Sequence, residues 1–352
     1  MKSIKLYAAL TIVALALASC DEEYGNAKLH TTINSDGTCS REINFTIPQP
    51  NGIVLSNEWN TVPNKPEEGE KLDTTITYAR NFDNVEQLSQ DMPLILNGKP
   101  LSSKATFEKR FRWFYTEYTF TEVFASIGGN FPIPLTNYAD TASINDWFFR
   151  QPQLLQGMNG SEAFSRLAEI GQKMDKWLCD NLIHTGMSYI YTHYDSIKNP
   201  PVSREQFMQL GDSLNAFITQ KAGNDFLVYD HQKGVQEFFN SNAYDIFFNY
   251  ETEIGKDFSN QLIPLISFSN LSVPYTLTMP GKVINIGNGI YSDSVISYTL
   301  SGERLIPGDY TITATSRQTN TWAYVITVIV ILLTISSWVR KWKTLNKRFP
   351  NH

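Results

Sequence analysis

The stretch TFEKRFRWFYTEYTFTEVF, residues 106–124, decides the fold class. Along it, large aromatic side chains alternate with charged or polar ones, and this period of two is typical of a β-strand with one buried face. One face holds Phe107, Phe111, Trp113 and Tyr115, and the opposite face holds Glu108, Arg110 and Arg112. The alternation changes phase before Tyr118 and Phe120, which predicts a β-bulge near Thr116. We therefore expect a β-rich domain built around this segment.

Shorter strands are predicted on both sides of it. Residues 28–33 and 39–47 flank the turn signal Ser35-Asp36-Gly37-Thr38, as in a β-hairpin. Short β-branched strands separated by Gly and Pro turns return at residues 275–279, 283–286, 294–300 and 309–315.

Residues 135–260 have a pattern typical of helices. Apolar residues recur at helical spacing after Ser161 and after Ser203, where Ser203-x-x-Gln206 matches a capping box. The predicted fold is therefore α+β. An antiparallel β-sheet made by residues 20–134 and 261–320 is split by an all-helical insertion at 135–260.

The run from Thr321 to Val339 contains no charged residue and is rich in Ile, Val and Leu. Its length suffices to cross the hydrocarbon core of a bilayer as a helix. Trp322, Tyr324, Trp338 and Trp342 flank it as an aromatic belt would. Residues 340–352 carry five basic residues and no acidic one, so the positive-inside rule makes this tail cytoplasmic and places residues 20–320 outside.

Residues 1–19 have the pattern of a secretory signal peptide, with Lys2 and Lys5 before a short apolar core. Leu17-Ala18-Ser19-Cys20 resembles the lipobox of bacterial lipoproteins. The resemblance implies that Cys20 becomes the lipid-attachment residue, carrying acyl chains such as palmitate, after residues 1–19 are removed. An ordinary signal peptide with an incidental cysteine is the alternative.

The acidic residues after Cys20 are compatible with two locations in the cell envelope. Asp21 resembles an inner-membrane retention signal, whereas the cluster of Asp21, Glu22 and Glu23 resembles a tag for export to the cell surface. Since membrane-spanning helices belong to the inner membrane, we favour the inner membrane with residues 20–320 in the periplasm. The outer membrane or cell surface is the alternative.

Charge and cysteine content narrow the possible partners. Without the bases at the two ends, the chain has 22 Lys and Arg against 35 Asp and Glu, so we expect no nucleic-acid partner. Membrane lipid is the expected partner of Cys20 and of residues 321–339. Cys39 and Cys179 form a disulfide or remain separate thiols, and their spacing decides neither.

Three features together resemble the LppM-like domain family of bacterial lipoproteins. They are the Asp36-Gly37 hairpin soon after Cys20, the segment Pro280-Gly281-Lys282-Val283 with Asn285 and the strand 294–300, and the single C-terminal span. The resemblance covers about residues 27–125 and 260–345, and the helical block departs from it. It implies an envelope lipoprotein that interacts with lipids or partners, and it implies no enzymatic reaction.

The sequence carries no zinc, nucleophile-elbow, phosphate-loop or calcium-loop motif. The best metal candidates are Cys179, Asp180, His184, His193 and Asp195. On one continuous helix His184 and His193 would face opposite sides, and only a break near Gly186 would bring them together. We therefore predict no catalytic residue, no metal and no cofactor.

Two weaker candidates remain. Tyr189, Tyr191 and Tyr194 line a pocket for a sugar or lipid or simply pack together, and packing is favoured. Arg110 and Arg112 bind an anion or belong to a solvated sheet face, and the nearby acids favour the solvated face.

The expected function is non-enzymatic binding of a protein partner or lipid in the cell envelope. The alternative is an envelope hydrolase whose carboxylates come together only in the fold.

Overall fold

A computed structural model describes residues 24–62, 75–149, 157–223, 226 and 229–348. The strands are β1 Lys28–Ile33, β2 Cys39–Thr46, β3 Asn60–Val62, β4 Thr75–Phe82, β5 Ile95–Leu96, β6 Lys99–Pro100, β7 Ser103–Phe111, β8 Tyr115–Phe124, β9 Ser272–Thr278, β10 Lys282–Asn285, β11 Ile290–Ser292, β12 Val295–Ser301 and β13 Tyr310–Thr319. The α-helices are α1 Thr141–Phe149, α2 Gly160–Thr192, α3 Arg204–Gln209, α4 Gly211–Ala222, α5 His231–Phe239, α6 Glu253–Ile266 and α7 Thr321–Arg348.

The strands form two main sheets that share one hydrophobic core. The seven-stranded sheet has the order β11-β12-β9-β1-β2-β4-β3, and the four-stranded sheet has the order β10-β13-β8-β7. Neighbouring strands are antiparallel except β1 and β9, which are parallel. Side chains from both sheets, such as Leu29 and Ile43 from one and Phe120 and Ile312 from the other, are buried in the same cluster. The inner faces of the two sheets therefore pack against each other.

The α+β class with a central helical region is confirmed. Instead of one sheet, the strands make two sheets and a small β5–β6 hairpin. Each main sheet contains strands from both sides of the helical region, and in the seven-stranded sheet β1 and β9 join them. The predicted bulge near Thr116 is wrong. The chain turns back between Phe111 and Tyr115, and this hairpin turn causes the change of phase.

The helical region runs from α1 to α6, so it extends six residues beyond the predicted end at 260. The predicted capping box at Ser203 and Gln206 is present at the start of α3. Aromatic and aliphatic residues of α2 to α6 form a core of their own. A further cluster, which includes Phe131, Trp177, Phe268 and Ile306, connects this region to the sheets.

The four-stranded sheet has two distinct ends. At one end, which we call the far end, Ser103 and Tyr310 both pair with Phe124. At the other, the helix end, Thr319 pairs with Tyr115 and leads directly into α7. Since Thr319 follows Tyr310 by nine residues along one strand, the two ends lie about 30 Å apart.

Tyr24, the first described residue, belongs to the far end. Its hydroxyl donates a hydrogen bond to the carbonyl of Ile95, in the β5–β6 hairpin that leads into the start of β7. The chain then runs along β1 to the helix end, where Lys109 Nζ donates to the carbonyl of Ser35 at 3.0 Å. The helical region also joins at the far end, since Ile127 N donates to the Leu305 carbonyl at 2.8 Å.

The two described cysteines lie in different cores. Cys39 is buried between the sheets and Cys179 is buried among the helices, and both are free thiols. Burial raises the pKa of both thiols to about 12, which keeps them protonated at neutral pH.

Candidate functional site

The most distinctive surface of the molecule begins at α7. By length and composition, Thr321–Lys343 is able to cross a membrane, with a mean hydropathy of 2.1. Core helices of soluble proteins can have the same length and composition, but they are mostly buried, whereas only 6% of this apolar segment is buried. Its apolar side chains therefore face outward, which supports membrane association.

A short hairpin turn holds the start of this helix. Asn320, the residue between β13 and α7, donates from its backbone N–H to the Phe114 carbonyl at 3.0 Å and from Nδ2 to the Arg112 carbonyl at 2.8 Å. Its side-chain oxygen accepts a hydrogen bond from Thr116 Oγ1 at 3.0 Å. One amide side chain thus joins the β7–β8 turn to the helix.

Five aromatic residues surround this junction, and we call them the aromatic collar: Phe111, Trp113, Phe114, Trp322 and Tyr324. The ring of Trp322 stacks on Phe111 at 6.3 Å and meets Trp113 edge-on at 5.4 Å. Phe114 and Tyr324 lie 4.8 Å apart. All five side chains stay 40–57% exposed despite these contacts. The collar is a preformed, outward-facing aromatic surface.

Basic side chains lie next to the collar. Lys109, Arg110 and Arg112 are exposed on β7 and the turn. Within the described part of the chain, the ion pairs involve neither Arg110 nor Arg112. Glu117, opposite Arg110, accepts a charge-assisted hydrogen bond from Arg317 Nε at 3.0 Å. At the edge of the collar, Arg110 and Arg112 therefore have no ion-pair partner among the residues that the structure describes.

The sequence pattern predicts only part of this site. It places Trp322 and Tyr324 at the end of a span, but it places Phe111 and Trp113 only on one face of a strand. The position of Trp113 could have indicated the site. It continues the aromatic face of β7 two residues beyond Phe111, the last residue of β7 that pairs with β8.

A cluster of polar side chains lies between the two main sheets, which together form a β-sandwich. Arg41 and Glu122 are both fully buried, and Arg41 NH2 donates to Glu122 Oε2 at 2.7 Å. Tyr275 OH donates to the same oxygen at 2.8 Å, and Ser103 Oγ donates to Oε1 at 3.1 Å. Because Arg41, Glu122 and Tyr275 are fully buried between the two sheets, this network joins the sheets and does not expose the Glu122 carboxylate to a substrate.

The metal candidates are not brought together. α2 is continuous through Gly186 and ends at Thr192, so His193 lies just beyond the helix, where its ring stacks on Tyr189 at 4.1 Å. Asp180 Oδ1 accepts a hydrogen bond from Asn215 at 2.7 Å. Within the described ranges, no group of three His, Cys, Asp or Glu side chains is placed to hold a metal ion.

The tyrosines near the end of α2 pack instead of lining a pocket. Tyr194 is buried, and its hydroxyl donates to the Val202 carbonyl at 2.7 Å and lies 3.1 Å from the hydroxyl of Tyr244. Tyr191 is on the surface, beneath the guanidinium of Arg204.

The described buried carboxylates do not form the pair that a hydrolase would need. Glu122 lies between the sheets and Asp180 lies in the helical region. Burial by itself would raise the pKa of Asp180, but hydrogen bonds from Tyr138, Asn215 and Lys176 outweigh it and hold the pKa below its ordinary value. Asp180 is therefore an ionised, fully occupied acceptor and not a proton donor.

Several predicted features lie outside the described residues. These are the signal peptide 1–19, the lipid-attachment residue Cys20, the acidic residues 21–23 and the end of the basic tail, residues 349–352. Lipidation at Cys20 therefore stays a prediction from the sequence. No protein-family model, curated protein or solved structure matches this chain.

Proposed function

We propose that this protein is a membrane-anchored lipoprotein of the bacterial cell envelope, related to the LppM-like domain family. In this proposal Cys20 carries the lipid, α7 spans the inner membrane, and residues 20–320 lie in the periplasm. The ectodomain is non-enzymatic and binds a protein partner or a lipid at the membrane face.

The exposure of α7 is the observation that supports the proposal most. Val328 and Leu332 lie in the middle of the apolar part of α7, and their side chains are 54% and 60% exposed. Such a helix is unfavourable in water, and a bilayer removes its apolar surface from water while its backbone hydrogen bonds remain internal. The aromatic collar at one end and the basic residues from Arg340 at the other match the two interfaces of a bilayer.

The test removes the two anchors separately. The first variant is a chimera in which residues 1–20 are exchanged for an ordinary cleavable signal peptide, so that no lipid is attached. The second variant carries Val328→Arg and Leu332→Arg, which together cost about 5–7 kcal/mol at the centre of a span. A third protein combines both changes. We expect each single change to leave the protein in alkali-washed membranes and the combination to release it.

The matched control is Ile290→Arg in the chimera, since Ile290 is an exposed apolar residue on β11 and lies outside the helix. This variant should stay in the membrane. Release of the chimera alone would contradict a spanning α7. Recovery of the full-length protein in the outer-membrane fraction would contradict the inner-membrane address.

A further inference from the structure

We propose that the β7–β8 turn, residues 111–114, is a second membrane-inserting element that enters the boundary between headgroups and acyl chains beside α7. The proposal rests on the proposed function, because it requires α7 to span a bilayer. It adds that the folded domain itself binds lipid, through a defined set of side chains.

The depth of the turn follows from one hydrogen bond. Trp113 Nε1 donates to Thr327 Oγ1 at 2.9 Å, and Thr327 in turn donates to the Ala323 carbonyl at 2.7 Å. Thr327 lies six residues beyond Thr321, which is about 9 Å along the helix. The interfacial layer of a bilayer is about 5–8 Å thick on each side. With Thr321 anywhere between the water surface and the start of the hydrocarbon core, the Trp113 ring therefore lies at or below the boundary with the acyl chains.

The turn cannot move away from the helix without breaking other contacts. Asn320 bonds to the carbonyls of both Arg112 and Phe114, and Phe111 stacks on Trp322. The depth of Trp113 is therefore coupled to the position of the span. A turn held in this way inserts when the helix inserts.

The chemistry of the exposed atoms matches a lipid interface. Phe111 and Phe114 present hydrocarbon, whereas an indole presents an apolar body with one polar N–H, which is the composition preferred at this depth. Arg110 and Arg112 have long apolar stems and exposed guanidinium groups that reach lipid phosphates. Because the rest of the ectodomain is acidic, this basic rim is the part that an anionic headgroup attracts.

A lipid fits this surface better than a protein partner. The collar is continuous with α7, so any protein covering it would have to occupy positions that lipids around the span already fill. Coverage by a protein partner or by a second copy of the chain is the competing result that the experiment distinguishes.

The experiment uses the full-length protein in vesicles of phosphatidylethanolamine and phosphatidylglycerol. Phe114→Cys and, separately, Arg112→Cys are labelled with an environment-sensitive fluorophore, and Phe164→Cys is the control, since Phe164 is 75% exposed on α2 in the helical region. Cys39 and Cys179 are buried and protonated, so they react slowly. Labelling of the unsubstituted protein would report an unlipidated Cys20.

We expect probes at 112 and 114 to be quenched by nitroxides attached near the lipid headgroup, and to be several-fold less accessible to aqueous iodide than the probe at 164. Iodide access at 112 and 114 equal to that at 164, in protein that resists alkaline extraction, would overturn the inserted turn and leave the span intact. Protection from iodide without quenching by lipid nitroxides would show a protein covering and would also overturn it. Loss of the protein during alkaline extraction would instead contradict the span.

Discussion

At the scale of single residues, the buried pair of Arg41 and Glu122 joins the two sheets by an ion pair. Arg41 lies on β2 of the seven-stranded sheet and Glu122 on β8 of the four-stranded sheet, and neither side chain touches water. Transferring two charges into a sandwich core is costly, and only good geometry with additional hydrogen bonds compensates. Thr31, Ser103 and Tyr275 supply those bonds.

Replacing Arg41 with Met should therefore lower the free energy of unfolding by about 3–5 kcal/mol, because the Glu122 carboxylate stays buried without an opposite charge. The double variant Arg41→Met with Glu122→Gln should lose less, since no charge remains. Chemical denaturation of the full-length protein in detergent micelles measures both. The control is Arg317→Met, which breaks a partly exposed pair with Glu117 and should cost less than about 1 kcal/mol. A loss at Arg41 no larger than that at Arg317 would show that the buried charge of Glu122 does not need Arg41.

At the scale of elements, the turn between β9 and β10 depends on one glycine. Gly281 has a φ of +76°, and a Cβ atom there would lie 2.4 Å from the carbonyl oxygen of Arg317. This turn takes the chain from the seven-stranded to the four-stranded sheet at the helix end, where Ser316 Oγ donates to the Pro280 carbonyl at 2.6 Å. The close contact gives a physical reason for the Pro280-Gly281 pair.

Gly281→Ala should destabilise the protein more than Gly98→Ala. Gly98 has a similar φ of +71°, but nothing lies within 4 Å of its added Cβ, so its substitution should cost only the left-handed strain of about 1–2 kcal/mol. At Gly281 the clash with backbone should add about 1–3 kcal/mol. The difference between their midpoints of thermal unfolding measures the clash. Equal midpoints would mean that the β9–β10 turn relaxes without cost.

At the scale of the whole molecule, the two proposed anchors leave from opposite ends of the sandwich. Tyr24 lies at the far end, about 30 Å from the helix end. Only three residues separate Cys20 from Tyr24, and the four Cα-to-Cα steps between them reach at most about 14 Å. A lipid on Cys20 therefore enters the bilayer that holds α7 only when the line between the two ends of the sandwich is tilted by at least about 60° from the membrane normal.

We expect the lipidated protein to lie closer to the membrane, with α7 and the β7–β8 turn tilting together with the sandwich, and the unlipidated chimera to stand higher. The measurement is energy transfer from a donor on Phe164→Cys, in the helical region, to an acceptor dye in the membrane surface. Transfer should be more efficient in the lipidated protein than in the chimera. Equal efficiencies would show that the lipid does not hold the far end at this membrane.

Much of this architecture is readable from local sequence patterns. Residues that are close in the chain define three of its elements: the β1–β2 hairpin, the capping box at Ser203 and the exposed apolar run after Thr321. The pattern of residues 106–124 predicts one continuous strand, because two paired strands have the same alternation as one. A turn with no Gly, Pro, Asn or Asp at residues 112–114 gives no local sign, and the hydrogen bonds from distant Asn320 stabilise it.

The sequence by itself determined the α+β class, the helical middle and the apolar C-terminal helix, because periodicity and hydropathy are properties of neighbouring residues. Only the tertiary structure decided that the strands divide into two sheets, that Arg41 meets Glu122, and that Trp113 meets the start of α7. Arg41 lies on the same face of β2 as Cys39, Ile43 and Phe45. This pattern shows that a charged residue lies on an apolar face, but it does not predict which residue pairs with it. These contacts join residues 81 and 214 positions apart, and long-range pairing is set by the packing of the whole chain, which no local pattern encodes.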